Sequence, residues 1–282
     1  ILEAEDGGLW FACYTDGISR FDGTHWRTYG EQDSLPESYR SFSLWQTEGG
    51  TVWSTGAAAL YRFQNERWQT HQALPVRLRG TLIAHWTSND RIWIWTWAQS
   101  RVFRFAPKGT TWTVYTDVPS SRLAETLASD NLFTFDNDVW LGGTDGAVRY
   151  TGDSWIKYTA QDGLIDGYIS TILKDKSGAL WFAGQHQGKS GAARYDGISW
   201  RIFTEADGLV GTGIGTGLAV ANGDVWFGTK WGTGGAYQGG GVMRFDGQAW
   251  TVYTTEDGLL SDRIYEIGQT PDGTIWVGTY TG

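Results

Sequence analysis

Residues 169–209 read ISTILKDKSGALWFAGQHQGKSGAARYDGISWRIFTEADGL. The stretch punctuates itself. Residues 169–174 are rich in β-branched and aliphatic side chains and end at Lys176-Ser177-Gly178, a run of turn formers. Residues 179–183 carry a second apolar run around Trp181, and residues 192–195 a third that ends in Arg194-Tyr195. Asp196-Gly197 then reads as a tight hairpin turn, because glycine reaches positive φ without a steric penalty. Residues 200–204 form a fourth run, and Asp207-Gly208-Leu209 leads out of the unit. Four short strands in about forty residues are the content of one antiparallel sheet.

The same unit recurs along the chain. A tryptophan preceded by Leu, Val or Ile stands at Trp10, Trp53, Trp93, Trp140, Trp181, Trp226 and Trp276, at intervals of 43, 40, 47, 41, 45 and 50 residues. A second tryptophan follows in six units, at Trp26, Trp68, Trp112, Trp155, Trp200 and Trp250. Between the two lies an arginine followed by an aromatic residue: Arg20-Phe21, Arg62-Phe63, Arg104-Phe105, Arg149-Tyr150, Arg194-Tyr195 and Arg244-Phe245. An Asp-Gly-Leu connector closes units at Asp162, Asp207 and Asp257, and survives as Asp33-Ser34-Leu35 in the first. Four strands per period of about 40–45 residues define an all-β fold, the β-propeller of four-stranded antiparallel blades. Six units are complete and a seventh stops after its second strand. The expected ring is seven-bladed with an incomplete last blade; a six-bladed ring is the alternative. Residues 1–282 are expected to form a single propeller domain.

Composition narrows the partners. The net charge of −9 disfavours nucleic acid, which demands clustered Lys and Arg. The lone Cys13 rules out an internal disulfide framework and a cysteine metal site. No apolar run is long enough to span a bilayer, and no signal peptide is evident at the N-terminus. The chain opens on Ile1 and its single methionine is Met243, so a processed chain or a slice of a longer protein is expected.

The repeat pattern of Gly-x-Leu-Trp-x-Gly-Thr, Gly-Val-x-Arg-Tyr-Asp-Gly, Trp-x-x-Tyr-Thr and Asp-Gly-Leu resembles the two-component regulator propeller repeat. The resemblance runs over essentially the whole chain. It is sharpest at residues 178–182 with 194–197, at 140–150, and at 223–229 with 244–247. The second and third units depart from it, with Ser54-Thr55 and Trp95-Thr96 in place of Gly-Thr. What the resemblance implies is an extracytoplasmic bacterial sensor domain, periplasmic or extracellular. Its parent would carry a transmembrane helix and a histidine kinase, and several members resemble oligosaccharide receptors.

A residue present in every unit serves the unit. The repeated tryptophans therefore read as filling between blades, and the arginines as guanidinium groups stacked on aromatic neighbours. Departures from the repeat are better candidates for binding. The fifth unit is expanded at residues 185–190, with Gln185, His186 and Lys189, and the sixth at 230–241, with Trp231 and Tyr237. Both insertions fall between second and third strands, so they share one face and should form one rim. Trp95 and Trp97 join Trp93 at period two on one strand face, while Trp45, His85 and Trp86 fall on first strands near the central channel. An oligosaccharide or similar polar small molecule is the expected ligand.

No cofactor and no enzymatic activity are expected. His25, His71, His85 and His186 are scattered over four units without metal-ligand spacing, and no nucleophile elbow is present. The glycine-rich residues 211–217 lead into a strand rather than a helix, so they lack the helix N-terminus that holds phosphate. A propeller lyase or lactonase working through a metal or a histidine, and a protein-interaction platform, stand as the alternatives.

Overall fold

The computed structural model describes residues 2–13, 17–35, 43–47, 50–56, 59–73, 82–87, 91–96, 101–106, 111–116, 118–119, 132–135, 138–152, 154–230 and 239–282. They fall into two compact units, Ile1–Val118 and Pro119–Gly282. The first holds three four-stranded antiparallel sheets, at residues 2–29, 43–73 and 82–115. The second holds three more, at residues 132–158, 169–203 and 214–253, and a two-stranded sheet of Ile264–Gln269 and Ile275–Thr279. In every sheet the strands neighbour one another in chain order. These are the six complete blades and one partial blade that the sequence predicts. Helical structure among the described residues is confined to three-residue 3-10 turns.

Strand register explains the repeat motif. In each complete blade the first tryptophan faces the motif arginine across the second and third strands, as in Trp10↔Arg20, Trp140↔Arg149, Trp181↔Arg194 and Trp226↔Arg244. The residue after the arginine faces the second tryptophan across the third and fourth strands, as in Phe21↔Trp26, Tyr195↔Trp200 and Phe245↔Trp250. Neighbouring strand residues point to opposite faces, so one dipeptide serves both sides of the sheet. The guanidinium carbons of Arg20, Arg149, Arg194 and Arg244 lie 5.5, 5.6, 5.8 and 5.8 Å from the ring centroids of the tryptophans they face. Stacking of arginine on aromatic, expected from the sequence, is observed.

The arginines have a second partner. Asp6, Asp175 and Asp224, in the connection between first and second strands, and Asp138, which opens its second strand, accept from Arg20, Arg194, Arg244 and Arg149 at 2.7, 2.9, 2.7 and 2.6 Å. Asp175 is the most heavily used, accepting also from the Ser177 and Ala179 N–H groups, the Ser177 hydroxyl and the Trp181 indole N–H. Burial pushes the Asp175 carboxyl up, but these hydrogen bonds and the Arg194 charge outweigh it and hold it below the usual carboxylate range.

Blades pack through those tryptophans. Trp181 meets Phe227, Phe245 and Trp250 of the following blade at centroid distances of 5.9, 5.5 and 6.2 Å. Trp10 meets Phe63 and Trp68 in the same way, at 4.7 and 5.7 Å. The reading of the repeated indoles as filling holds for Trp10 and Trp181, whereas Trp26 and Trp276 are exposed.

The Asp-Gly-Leu connector is a single capped turn. The Thr159 N–H and hydroxyl donate to the Asp162 carboxylate at 2.8 and 3.0 Å, Gly163 takes φ of +104°, and Leu164 is buried. The same arrangement recurs from Thr204 to Leu209 and from Thr254 to Leu259. Only a residue tolerant of positive φ fits the glycine position, and Ser34 adopts φ of +71° there in the first blade.

The Asp-Gly hairpins correct the sequence reading by one residue. The Asp196 N–H donates to the Ser199 carbonyl, so the turn proper is Gly197-Ile198. Asp196 stands before it, its carboxylate accepting the N–H groups of Ile198 and Ser199 at 2.9 and 2.8 Å. Asp22 does the same for Thr24 and His25, and the backbone hydrogen bonds from His25 and then Thr24 lower its pKa to about 2. The aspartate is chosen for its carboxylate and the glycine for its backbone.

Candidate functional site

The second-to-third-strand connections of the second compact unit line one edge of its blades. In the fifth blade the sequence predicts a loop at residues 185–190. The structure shows instead a longer hairpin: Leu180–His186 pairs with Lys189–Tyr195 out to His186↔Lys189. Gln187 and Gly188 make the two-residue turn with φ of +49° and +80°. Positive φ at both central positions suits the twist of paired strands, so the inserted residues extend the ladder rather than bulge from it.

This hairpin is clamped on both flanks. On one side the Gln185 N–H donates to the Tyr168 carbonyl at 2.8 Å, and the Asp166 N–H donates to Nδ1 of His186 at 3.0 Å. His186 therefore carries its ring hydrogen on Nε2 when neutral. On the other side the Gln185 side-chain amide donates to the Thr212 carbonyl at 2.9 Å, and the Ser190 N–H to the Gly211 carbonyl at 3.1 Å. Lys189 pairs with Glu205 at 3.6 Å. Gly167 makes the close approach possible, since a Cβ there would stand 2.2 Å from the Gln185 carbonyl oxygen. Gln185, His186 and Lys189, expected as ligand contacts, are thus brought together but already engaged by neighbouring connectors.

A polar cleft of about 390 Å³ opens beside the clamped hairpin, lined by Asp145, Lys157, Thr159, Gln161 and Asp166 among others. Thr144 and Asp145 form the fourth blade's own turn between second and third strands, and Asp166 and Gly167 belong to the connector that grips His186. Attention to insertions misses these residues, because their connections have ordinary length. The signal available in the sequence was the closeness of Lys157, Thr159, Gln161 and Asp166 along the chain.

From the hairpin the edge continues without a break. The Lys230 N–H donates to the Gly213 carbonyl, and the Gly241 N–H to the Asp262 carbonyl. The Thr229 hydroxyl donates to the carbonyls of Gly241 and Asp262 and accepts from the Gly240 N–H, tying together both stems of the sixth blade's insertion. Lys230 and Arg263 lie 5.2 and 5.4 Å from the Tyr265 ring, and Arg263 lies 4.8 Å from the exposed Tyr280 ring. Trp231 and Tyr237 lie outside the described residues, as does Trp97. Trp95 occupies its expected place in the strand Arg91–Thr96, opposite Ile83 and Val102, but its side chain lies outside the described set.

Trp45 sits on a first strand, stacked on Trp53 at 6.5 Å. His85 and Trp86 lie on the first strand Leu82–Thr87. His71 packs edge-on against Trp53 and Phe105, and burial followed by the Arg62 charge lowers its pKa. The glycine-rich residues 211–217 do lead into a strand, Ile214–Ala219. Among the described residues, no three His, Cys, Asp or Glu side chains gather as a metal site. Among the described residues, no helix is long and apolar enough to cross a membrane.

Blades of this construction define a β-propeller, and residues 163–186 and 258–281 match the two component regulator propeller family. Two spans of the chain thus match the two component regulator propeller repeat. Each match begins at the connector glycine that ends the capped turn and runs through the strand bearing the first tryptophan, so it takes in the aspartate turn and the indole described above. The sequence resemblance extends over the whole chain, whereas the family match is confined to these two spans.

Solved structures share the fold across nearly the full chain. The first is described as the extracellular domain of hybrid two component system BT3049 from B. thetaiotaomicron, with 17% identity and a TM-score of 0.69. It covers 99% of this chain and 37% of that one. A virginiamycin B lyase from Staphylococcus aureus shows 18% identity and a TM-score of 0.61, covering 99% and 90%. YCF48 from Cyanidioschyzon merolae shows 15% identity and a TM-score of 0.63, covering 97% and 89%. At such identities the likeness concerns the fold. Among curated sequences, none matches this chain significantly.

Proposed function

We propose that this chain is the extracytoplasmic sensing part of a two-component regulator, binding an oligosaccharide on the edge that carries the clamped hairpin. The observation that carries the reading is the pair of two component regulator propeller repeats. The likeness to an extracellular domain of a hybrid two component system supports the same placement, outside the cytoplasm. In this reading a transmembrane helix and a histidine kinase belong to the same parent protein.

The cleft supports the choice of ligand. Asp145, Lys157, Thr159, Gln161 and Asp166 offer both donors and acceptors, which is what an array of sugar hydroxyls needs. Trp231 and Tyr237 on the neighbouring insertion, and Gln185, His186 and Lys189 on the hairpin, are proposed to extend contact along the edge. A scaffold clamped by backbone hydrogen bonds loses little freedom on binding, so contact energy is not spent on ordering loops.

Calorimetric titration of the parent with an oligosaccharide panel tests the reading. Binding of at least one member is expected, weakened about tenfold in Asp145→Ala through loss of a charged hydrogen-bond acceptor. Trp231→Ala should weaken it by a similar factor, about tenfold. If no oligosaccharide binds the parent, the ligand assignment is wrong; if binding survives both changes, the site lies elsewhere.

A further inference from the structure

The opposite ends of the strands, where first joins second and third joins fourth, hold a larger cleft. It measures about 410 Å³ and lies between the fifth and sixth blades, bordered by Lys176, Ser177, Arg201, Gly223 and Gly247. Its floor is apolar: Trp181, Phe203, Val225 and Phe245 also line it, and all four are buried. Phe203 and Phe245 stand 5.2 Å apart edge to face. The cleft belongs to no residue of the edge discussed above.

Its charge is unusual for an acidic chain. Three cations reach it, Lys176, Arg194 and Arg201, and one carboxylate, Asp175. Asp175 is saturated by Arg194, Trp181, Ser177 and Ala179. Lys176 and Arg201 are exposed, and among the described residues neither has an ion pair. The Arg201 guanidinium carbon lies 4.4 Å from the Phe203 ring centroid, so one face rests on an aromatic while its N–H edges have no described acceptor.

The first blade provides the control within the same molecule. Arg27 occupies the position of Arg201, one residue after the second tryptophan. It is neutralised by Asp33 at 3.4 Å and by Glu66 of the second blade at 3.1 Å. Glu66 is two residues before the second tryptophan of its blade, and the sixth blade has Gln248 at that place, beside Gly247 in the cleft wall. The counter-ion present in one inter-blade groove is replaced by a neutral amide in the other. Lys176 then adds a cation where the first blade's turn, of the same length, carries Glu5.

We propose that the cleft between the fifth and sixth blades is a binding site for a small organic acid, its anionic group held by Arg201 and Lys176 and its apolar body lying on Phe203 and Phe245. An anion there would take the place that Glu66 holds beside Arg27. A volume of about 410 Å³ suits a compact ligand, and an apolar floor with a few convergent charges is the usual composition of such sites.

Phenylacetate and its uncharged isostere phenylacetamide serve as probes, read by saturation-transfer NMR and calorimetry on the whole chain. Phenylacetate is expected to bind, and phenylacetamide to bind about tenfold more weakly, the loss expected for one charge-assisted hydrogen bond. Arg201→Gln should weaken phenylacetate by about the same tenfold. The sharper variant is Gln248→Glu, on an exposed turn, which restores the first blade's counter-ion and should abolish binding while leaving the unfolding midpoint unchanged. Equal binding of acid and amide overturns the proposal. So does full binding by Gln248→Glu, or the absence of any signal at about 20 mM phenylacetate.

Discussion

The fifth blade and the two-stranded sheet at residues 264–279 share the pairing of their first two strands. Each pairs a first strand to a second with the same irregularity, between Ile169 and Thr171 and between Ile264 and Glu266. Each has an aspartate in the turn that caps it locally, Asp175 and Asp272. Each presents a tryptophan at the same place. Yet Trp181 is 1% exposed and Trp276 is 65% exposed. The difference lies in what pairs beyond the second strand. Trp181 has Arg194 across from it, Phe203 stacked on it and the sixth blade against it. Among the described residues, Trp276 has no third strand beside it. Local sequence builds the hairpin, and only neighbouring strands and blades turn its tryptophan into core.

That contrast can be broken most directly at the indoles. Trp181→Ala should lower unfolding stability by about 4 kcal/mol, the range for a large aromatic removed from a packed core. Trp276→Ala should cost under about 1 kcal/mol, since its ring faces solvent. Denaturant titration of both variants measures this, and equal losses would show that the seventh sheet packs as the fifth does.

A smaller effect is expected at the charge partners. Arg194→Ala strips the counter-ion from Asp175, whose side chain is only 8% exposed, and should cost about 2 kcal/mol, below the figure for a fully buried pair because Arg194 itself reaches solvent. Asp272→Asn should change stability by no more than about 0.5 kcal/mol, because no arginine depends on it. The fifth-blade pair also gives a pH signature. The Asp175 carboxyl titrates lower in the folded chain than in the unfolded one. Its contribution is therefore intact above the unfolded value of about 3.9 and fades as pH falls toward the folded value. Asp175→Asn should accordingly flatten the decline of stability below about pH 4, measured by denaturant titration across an acid series.

The connector glycines sharpen the comparison at the smallest scale. Gly163 and Gly258 share φ of +104°, but a Cβ on Gly163 would stand 2.7 Å from Cβ of Trp200, whereas nothing lies within 4 Å of one on Gly258. Gly258→Ala should cost about 1 kcal/mol for the backbone conformation alone. Gly163→Ala should cost roughly 1 kcal/mol more, through displacement of the fourth-strand tryptophan. A difference of zero would mean that Trp200 yields freely.

The candidate edge was legible only in part. Insertions at residues 185–190 and 230–241 stand out against the repeat; the first lies on a hydrogen-bonded edge, and the second is described only at its stems, where Thr229, Lys230, Gly240 and Gly241 bond to neighbouring connectors and to one another. That the first is a hairpin gripped by Asp166 and Thr212 was not legible, because those partners come from connectors 20 and 27 residues away from the groups they bind. Asp145 and Lys157 were passed over because nothing in their spacing departs from the repeat. The cations of the opposite cleft became visible only when Arg201 could be compared with Arg27 and its partners.

What the sequence by itself determined is the repeating unit: four strands, the capped Asp-Gly-Leu turn, the tryptophan positions and the Arg-aromatic dipeptide. These follow from alternation, turn chemistry and local carboxylate–amide bonds, all of which act within one blade. Which tryptophan becomes core, which arginine finds a carboxylate and which polar side chains face the same cleft were decided by tertiary structure alone. Burial and charge pairing depend on atoms brought together across blades, and a period read along the chain carries no record of them.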